Sequence, residues 1–222
     1  MAGVALSWSG GKDSTLALWA MRQAGTEPVA LLTTLTEDYD RISMHAVRGE
    51  LLRAQAAAAG VELVEVGIPA ACPNDLYEAR MEAALASPPL AAVEEIAFAD
   101  LFLADIRAYR EERLGRIGRR ASFPVWERDT SELALEFVDT GFEAILVSVD
   151  PSQLDASFVG RAFDRALLED LPAGVDPCGE NGEFHTFVHA GPIFSAPIEV
   201  ERGEVVMRDG FAFQDLLPRI RH

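Results

Sequence analysis

Through its first 126 residues the chain alternates short apolar runs with longer stretches of helical composition, and this alternation restricts the fold more than any other feature. Val4–Ser7, Glu27–Thr33, Val61–Val66, Val93–Ala99 and Ala121–Trp126 read as strands. Thr15–Ala24, Met44–Ala59, Asp75–Ala86 and Ala104–Arg119 read as the helices between them. Strands separated by helices favour a parallel sheet covered on both faces. Right-handed crossovers then bring every strand-to-helix loop to one edge, where open α/β sheets bind ligands. The expected fold class is α/β: a Rossmann-like nucleotide-binding domain over residues 1–127, then a smaller mixed α+β domain over 128–222.

The second half is patterned more loosely. Asp129-Thr130-Ser131-Glu132 offers helix caps, Ala144–Val149 reads as a strand and Gly160–Glu169 as a helix. Strand-like pieces follow at His185–His189, Ile198–Glu201 and Glu204–Arg208, with Arg202-Gly203 read as a hairpin turn. The Ala-rich run Ala54–Ala59, stopped by Gly60, reads as a helix with a glycine at its C-terminus.

Charge narrows the function. Against 19 Lys+Arg stand 36 Asp+Glu, a net charge of −17, which repels phosphate backbones at long range and makes nucleic acid an unexpected partner. Cys72 and Cys178 form no C-x-x-C pair, so neither a disulfide framework nor a cysteine zinc site is expected. The N-terminus has no basic n-region and no stretch nears the ~18 apolar residues of a membrane span, so the expected location is cytoplasmic, with no membrane partner.

Two short segments concentrate the chemistry. Ser7-Trp8-Ser9-Gly10-Gly11-Lys12-Asp13-Ser14 lies directly between the first strand and the first helix. Gly10 and Gly11 permit tight turning and close approach to an anion, and the N–H groups of such a loop and helix start point at it. Ser9 and Ser14 add hydroxyls and Lys12 a point charge, while Asp13 can hold Mg²⁺ or cap the helix. Neither G-x-x-x-x-G-K-[ST] nor G-x-G-x-x-G is present. The second segment, Asp176 to Thr186, packs carboxylates, an amide, an imidazole and a hydroxyl around glycines 179 and 182. Read from its residues alone it is equally a solvated loop or a site.

The S-G-G-x-D-S loop resembles the PP-loop of ATP pyrophosphatases. Together with Glu180-Asn181-Gly182-Glu183-Phe184-His185-Thr186 it resembles the diphthine–ammonia ligase family, along nearly the whole chain. Ser43-Met44-His45, Phe98 to Leu103, Ile106 to Glu111 and Pro124-Val125-Trp126 are family-like as well. The resemblance implies a PP-loop domain, with ATP and ammonia as substrates. A carboxylate is activated as an acyl-adenylate, pyrophosphate leaves, and ammonia then displaces AMP. In eukaryotic and archaeal members that carboxylate is diphthine on translation elongation factor 2; a small metabolite carboxylate is the other acceptor considered, and a non-catalytic ATP- or AMP-binding protein the other kind of function.

The same resemblance assigns nucleotide binding to Ser9, Gly10, Gly11, Lys12, Asp13, Ser14, Thr34, His45 and Asp100, with Asp13 on Mg²⁺. It assigns catalysis to Lys12, Glu180, Asn181, Glu183 and His185. Ala99 stands where the family has glycine, so the likeness carries Asp100 rather than a nucleotide pose. Oligomeric state is left open, with a homodimer among the arrangements admitted. Lys12→Ala is expected to impair pyrophosphate release; unchanged turnover would remove Lys12 from the phosphate site.

Overall fold

Which apolar runs can be covered on both faces decides the strand pairing. In the computed structural model, which describes residues 3–42 and 47–219, β1 (Gly3–Ser7) is the central strand of the first sheet. It pairs in parallel with β2 (Ala30–Thr36) on one side and β5 (Val93–Ala97) on the other. β4 (Glu62–Ile68) joins β2 and β6 (Arg120–Ser122) joins β5, both in parallel. A two-residue β3 (Arg41–Ile42) adds antiparallel to the end of β2. The parallel strands therefore run β4-β2-β1-β5-β6, winding outward first one way from β1 and then the other. The reversal falls between the loops that follow β1 and β5, the crevice where such sheets bind ligands.

Helices α1 (Lys12–Gln23) and α2 (Gly49–Ala59) cover one face through Leu16, Leu18, Leu51 and Leu52, packed with Leu6 and Leu31. Helices α3 (Asn74–Leu85) and α4 (Ala104–Arg116) serve the other face, where Leu85 and Leu114 join Ala5, Ala30 and Leu32. Gly60, at φ 71°, ends α2 as expected of a left-handed C-terminal glycine.

The second sheet is antiparallel, ordered β8-β7-β10-β9, from β7 (Glu143–Val149), β8 (Phe184–Ala190), β9 (Val200–Arg208) and β10 (Phe211–Pro218). Helix α5 (Thr130–Asp139) is capped by Asp129, whose Oδ1 accepts from the Glu132 amide at 2.9 Å, and a short α6 (Arg165–Asp170) follows. Phe137, Phe142 and Phe187 belong to the same apolar cluster as Leu6, Trp8 and Leu52, so one core runs through both sheets. The Val188 amide donates to the Gly10 carbonyl at 3.0 Å and the Lys12 amide to Thr186 Oγ1 at 3.0 Å. Thus β8 is stitched to the loop after β1. No helix of the described residues is long and apolar enough to cross a membrane.

Several elements differ from the sequence reading. β2 is Ala30–Thr36 rather than Glu27–Thr33, because Gly25 (φ 75°) turns the chain after α1 and Val29 only begins the contact with Val4. Thr33 and Thr34 consequently lie inside the strand. β5 stops at Ala97, so Asp100 is a loop residue and not a strand end. α1 begins at Lys12, three residues earlier than read, which puts Lys12, Asp13 and Ser14 in its first turn; α4 stops at Arg116, before Gly118 (φ 72°). Of the expected 44–59 helix, Gly49–Ala59 is helical and residues 43–46 lie outside the described residues. Beyond Ser122 the expected strand to Trp126 is a turn, since Pro124 brings no N–H to a ladder and Trp126 N–H bonds back to Phe123.

Residues 160–163 turn and bridge to β7 rather than forming a helix, which begins only at Arg165: Gly160 is at φ 79°, and the Gly160 and Phe163 amides donate to Leu146 and Ala144 of β7. The last hairpin turns at Asp209-Gly210 (φ 52° and 86°), the two-residue turn with both φ positive that suits twisted strands, and not at Arg202-Gly203. Gly203 instead lies within β9 against Asp215, opposite the irregularity in β10 between Gln214 and Leu216.

Gln55 of α2, fully buried, donates Nε2 to the carbonyls of Gly10 at 2.9 Å and Val188 at 2.6 Å and accepts from Trp8 Nε1 at 3.2 Å. Gln55→Leu strands these buried groups and is expected to cost about 2–4 kcal/mol in denaturant unfolding. A change below 1 kcal/mol would show the clamp to be dispensable.

Candidate active site

A cleft of about 420 Å³ opens between the loops after β1 and β5. Its wall combines Ser9, Asp13 and Ser14 from the first loop, Thr34 from β2, Phe98 and Asp100 after β5, Arg110 of α4, and Glu180 and His185 from the second sequence motif. The two segments singled out in the sequence therefore meet on one cavity, though more than 160 residues apart in the chain.

The first loop turns at Gly10, where φ is 74° and an added Cβ would lie 2.5 Å from Gln55 Oε1 and 2.6 Å from Leu52 Cδ2. Only glycine fits there, by conformation and by space. Ser9 Oγ and Ser14 Oγ lie 3.3 Å apart. Asp13 does not cap α1: the cap position is Gly11 without a side-chain bond, and the Asp13 carboxylate instead receives Lys12 Nζ at 2.7 and 2.9 Å. Of the first-turn amides of α1, that of Lys12 is taken by Thr186 Oγ1, and those of Asp13 and Ser14 are left to present the helix's positive end at the cleft. Lys12 Nζ also donates to the Cys178 carbonyl, which ties the loop to the second motif.

That motif folds around two of its own carboxylates. Glu183, buried, accepts from the Asp176 amide (2.9 Å), the Asn181 amide (3.0 Å) and Asn181 Nδ2 (3.1 Å). Asp176 Oδ1 accepts from the Cys178 amide at 2.8 Å and its Oδ2 from Thr130 Oγ1 at 2.7 Å. Gly179 (φ 67°) must be glycine, because a Cβ would sit 2.7 Å from the Phe184 carbonyl. The loop so held carries Glu180 across to the first half, where Oε1 accepts from the Leu101 amide at 2.8 Å.

Burial and neighbouring charge set the protonation states. Burial pushes the Glu180 carboxyl up to about 7, the Leu101 amide working against it and Asp13 with it. Burial and Lys12 push the His185 imidazole down to about 4, so it is neutral through the physiological range. The Cys178 thiol is driven up to about 12 by burial and donates to the Thr130 carbonyl, which makes it a structural thiol and no nucleophile. Burial alone lowers the Lys12 ammonium, but Asp13, Cys178 and Glu180 more than offset it and leave it charged, above the usual lysine value.

Of the expected residues, Ser9, Asp13, Ser14, Thr34, Asp100, Glu180 and His185 line the cleft. Gly10, Gly11 and Lys12 lie behind its wall, and Asn181 and Glu183 are engaged within their own loop. His45 lies outside the described residues. Asp100 does not cap α4 either; it pairs with Arg110 through bonds of 2.6 and 3.1 Å. Among the described lining residues Arg110 is the only guanidinium or ammonium, and it stacks 4.2 Å over Phe98. Sequence reading gave Arg110 no role; its place ten residues after Asp100, on the helix that follows the β5 loop, was the available signal. Gln55 was hidden in an alanine-rich helix, where a buried amide looks like an exposed one.

Comparison with known proteins covers both halves. Residues 1–123 match the family model described as diphthamide synthase N-terminal domain, and residues 129–216 match diphthamide synthase C-terminal domain. The chain is 27% identical to the diphthine–ammonia ligase of Schizosaccharomyces pombe over 220 residues, 89% of this chain and 36% of that protein. It is 31% identical to that of Bos taurus over 114 residues (47% and 43%) and 30% identical to that of Homo sapiens over 117 residues (50% and 44%). The chain spans less than half the length of these curated relatives.

His185 carries a pH signature. A histidine near 6.5 when unfolded and about 4 when folded stabilises the protein fully above 6.5, and that contribution is lost as pH falls through 4. His185→Gln is expected to flatten the acid side of the stability profile between these values, by on the order of 3 kcal/mol at its foot. Parallel wild-type and variant melting curves across pH 4–6.5 would refute the buried neutral imidazole.

Proposed function

We propose, from the premise that this chain belongs to the diphthamide synthase family, that it joins a carboxylate to ammonia at the expense of ATP, releasing AMP and pyrophosphate. The observation that carries this reading is the meeting of the glycine loop and the Glu180–His185 motif on one cleft at the reversal of the parallel sheet. Residues 1–127 then serve as the nucleotide side and 128–222 as the side that completes the acyl site.

The residues present fit a polyphosphate. The loop after β1 offers two hydroxyls, first-turn amides and a glycine whose Cβ position is already filled by Gln55 and Leu52. Ser9, Asp13 and Ser14 would hold the phosphates, with Gly10 and Gly11 shaping the turn behind them, Thr34 on the base side and Asp100 on the ribose side. Among the described residues no group of three or more His, Cys, Asp or Glu is placed to hold a metal ion. Asp13 would be the residue to hold a Mg²⁺ ion brought in with the nucleotide, which would neutralise phosphate charge there.

In the first step a carboxylate oxygen of the acceptor attacks the α-phosphorus and the bond to pyrophosphate breaks. Lys12 contributes from behind the wall, where low dielectric strengthens its charge, and the Asp13 and Ser14 amides meet the oxygens that gain charge. Arg110, fixed by Asp100 and Phe98, presents the cation on the wall itself. In the second step the ammonia nitrogen attacks the acyl carbon, AMP leaves, and Glu180 takes the proton released from nitrogen. A carboxyl near 7 is suited to that exchange at neutral pH. Neutral His185 donates a ring N–H to the acyl oxygen and does not act as a cation. Glu183 and Asn181 position Glu180 through the loop they hold.

The relatives' name supplies diphthine as the first acceptor to test and ammonia as the nucleophile. The test is a product assay with ATP, Mg²⁺ and ammonium, with and without diphthine-bearing elongation factor 2, resolving AMP from ADP. AMP formed only with the factor supports the diphthine reading; AMP formed with small carboxylates instead moves the acceptor; nucleotide bound without cleavage overturns the ligase. Amide formation is expected to rise as pH passes about 7, and Glu180→Gln to lower it at least 10²-fold without weakening ATP binding. An unchanged pH profile in that variant would remove Glu180 as the base.

A further inference from the structure

The second sheet ends on an open strand. β9 closes the order β8-β7-β10-β9, pairs with β10 along one side, and among the described residues no strand pairs with its other edge. None of its nine residues is buried. An edge of that length offers its N–H and C=O groups to any second strand, and charge or proline along it is the usual guard. Here the guard is missing from the middle. Val205, Val206 and Met207 are 54%, 44% and 62% exposed, three consecutive apolar side chains flanked by exposed Glu204 and Arg208.

The hairpin turn decides which backbone groups of β9 are free. Residues flanking a two-residue turn exchange hydrogen bonds, so Arg208 with Phe211, and alternately Val206 with Phe213, spend their backbone on β10. Val205 and Met207 fall between and turn their N–H and C=O groups to the open edge. In an antiparallel pairing of β9 with its own copy these residues must face one another, so the two-fold axis has to fall on a residue. An axis at Glu204 sets Glu204 against itself, and one at Val205 sets Arg202 against Arg208. An axis at Met207 leaves Val205 against Asp209 and Arg208 against Val206. An axis at Val206 puts Val205 against Met207 and Glu204 against Arg208, each twice by symmetry. Opposite charges directly across a strand pair stabilise it and like charges destabilise it. The strand therefore complements itself in one register, apolar in the centre with an ion pair at each end, as an isologous contact requires. Copies of a chain of net charge −17 repel one another at long range, and this strip is locally balanced.

We propose that the free edge of β9 is a dimer interface, where a second copy of this chain adds antiparallel about a two-fold axis at Val206 and joins the two antiparallel sheets into one. The proposal needs nothing from the ligase reading.

A strand-on-strand contact is a small interface, so association in the range of about 10–100 μM is expected, and sedimentation of the full chain over about 1–500 μM would follow it. Glu204→Arg and Arg208→Glu should each weaken the dimer at least about tenfold, since each sets like charges opposite at both ends. Mixed together, the two variants should associate with each other, because both ends of the mixed pair then carry opposite charges. The double variant Glu204→Arg/Arg208→Glu should associate as the wild type does. Amide hydrogen exchange at Val205 and Met207 should slow as concentration rises, while exchange at Val206, already bonded to β10, should not. A wild-type chain that stays single over the whole range overturns the proposal, as does a dimer indifferent to both substitutions or a mixture that stays monomeric. Both substituted positions are exposed, so the fold should be kept; were a variant to misfold, the wild-type concentration series and exchange pattern decide alone.

Discussion

The carbonyl of Gly10 is the junction on which the molecule turns. It accepts the Val188 amide from the antiparallel sheet and the Gln55 amide from α2, at 3.0 and 2.9 Å. A single backbone oxygen therefore fixes the glycine loop after β1, binds the two sheets together and ties both to a helix. The left-handed turn at Gly10 is what aims that oxygen inward, and beyond the Lys12 amide, which Thr186 takes, the Asp13 and Ser14 amides are left to the cleft. Were the loop to relax, the register between β8 and the first sheet would go with it, and Glu180 and His185 would lose their place opposite Ser9 and Ser14.

Charge is managed by the same economy of partners. The chain is strongly acidic, yet the carboxylates nearest the cleft are divided by task. Asp176 and Glu183 are spent on the amides of their own loop, Asp100 on Arg110 and Asp13 on Lys12. Glu180 is left with one backbone amide and a largely dry setting, and its affinity for a proton rises accordingly. The same dryness, with Lys12 nearby, keeps His185 neutral. Two titratable groups on one wall are thus pushed in opposite directions by one cause, burial, acting on opposite charge types.

Much of the first sheet was legible because parallel strands buried on both faces leave unbroken apolar runs, as in Val4–Ser7 and Val93–Ala97. Element ends were less so. α1 starts inside the glycine loop because polar Lys12, Asp13 and Ser14 suit a first helical turn as well as a loop. The second sheet hid its hairpin: Arg202-Gly203 and Asp209-Gly210 are similar local signals, and only the pairing of β9 with β10 chooses between them. In the site, residue types were readable but assignments of space were not. Nothing in Glu180-Asn181-Gly182-Glu183 announces which glutamate folds the loop and which one faces the cleft, since that depends on where the Asp176 and Leu101 amides come to lie. Arg110 lay in a stretch read only as family-like, and its place on the cleft wall beside Asp100 is set by the fold.

The core shared by the two sheets has a mechanical consequence. Leu6, Trp8 and Leu52 pack in one cluster with Phe137, Phe142 and Phe187, so the halves have no dry seam along which to part. Enzymes whose lobes meet across a polar interface can swing shut on a substrate and wring out the water as they do so. Here such a swing would tear apolar contacts, and the two halves stand instead on one continuous core that sets both walls of the cleft in place together.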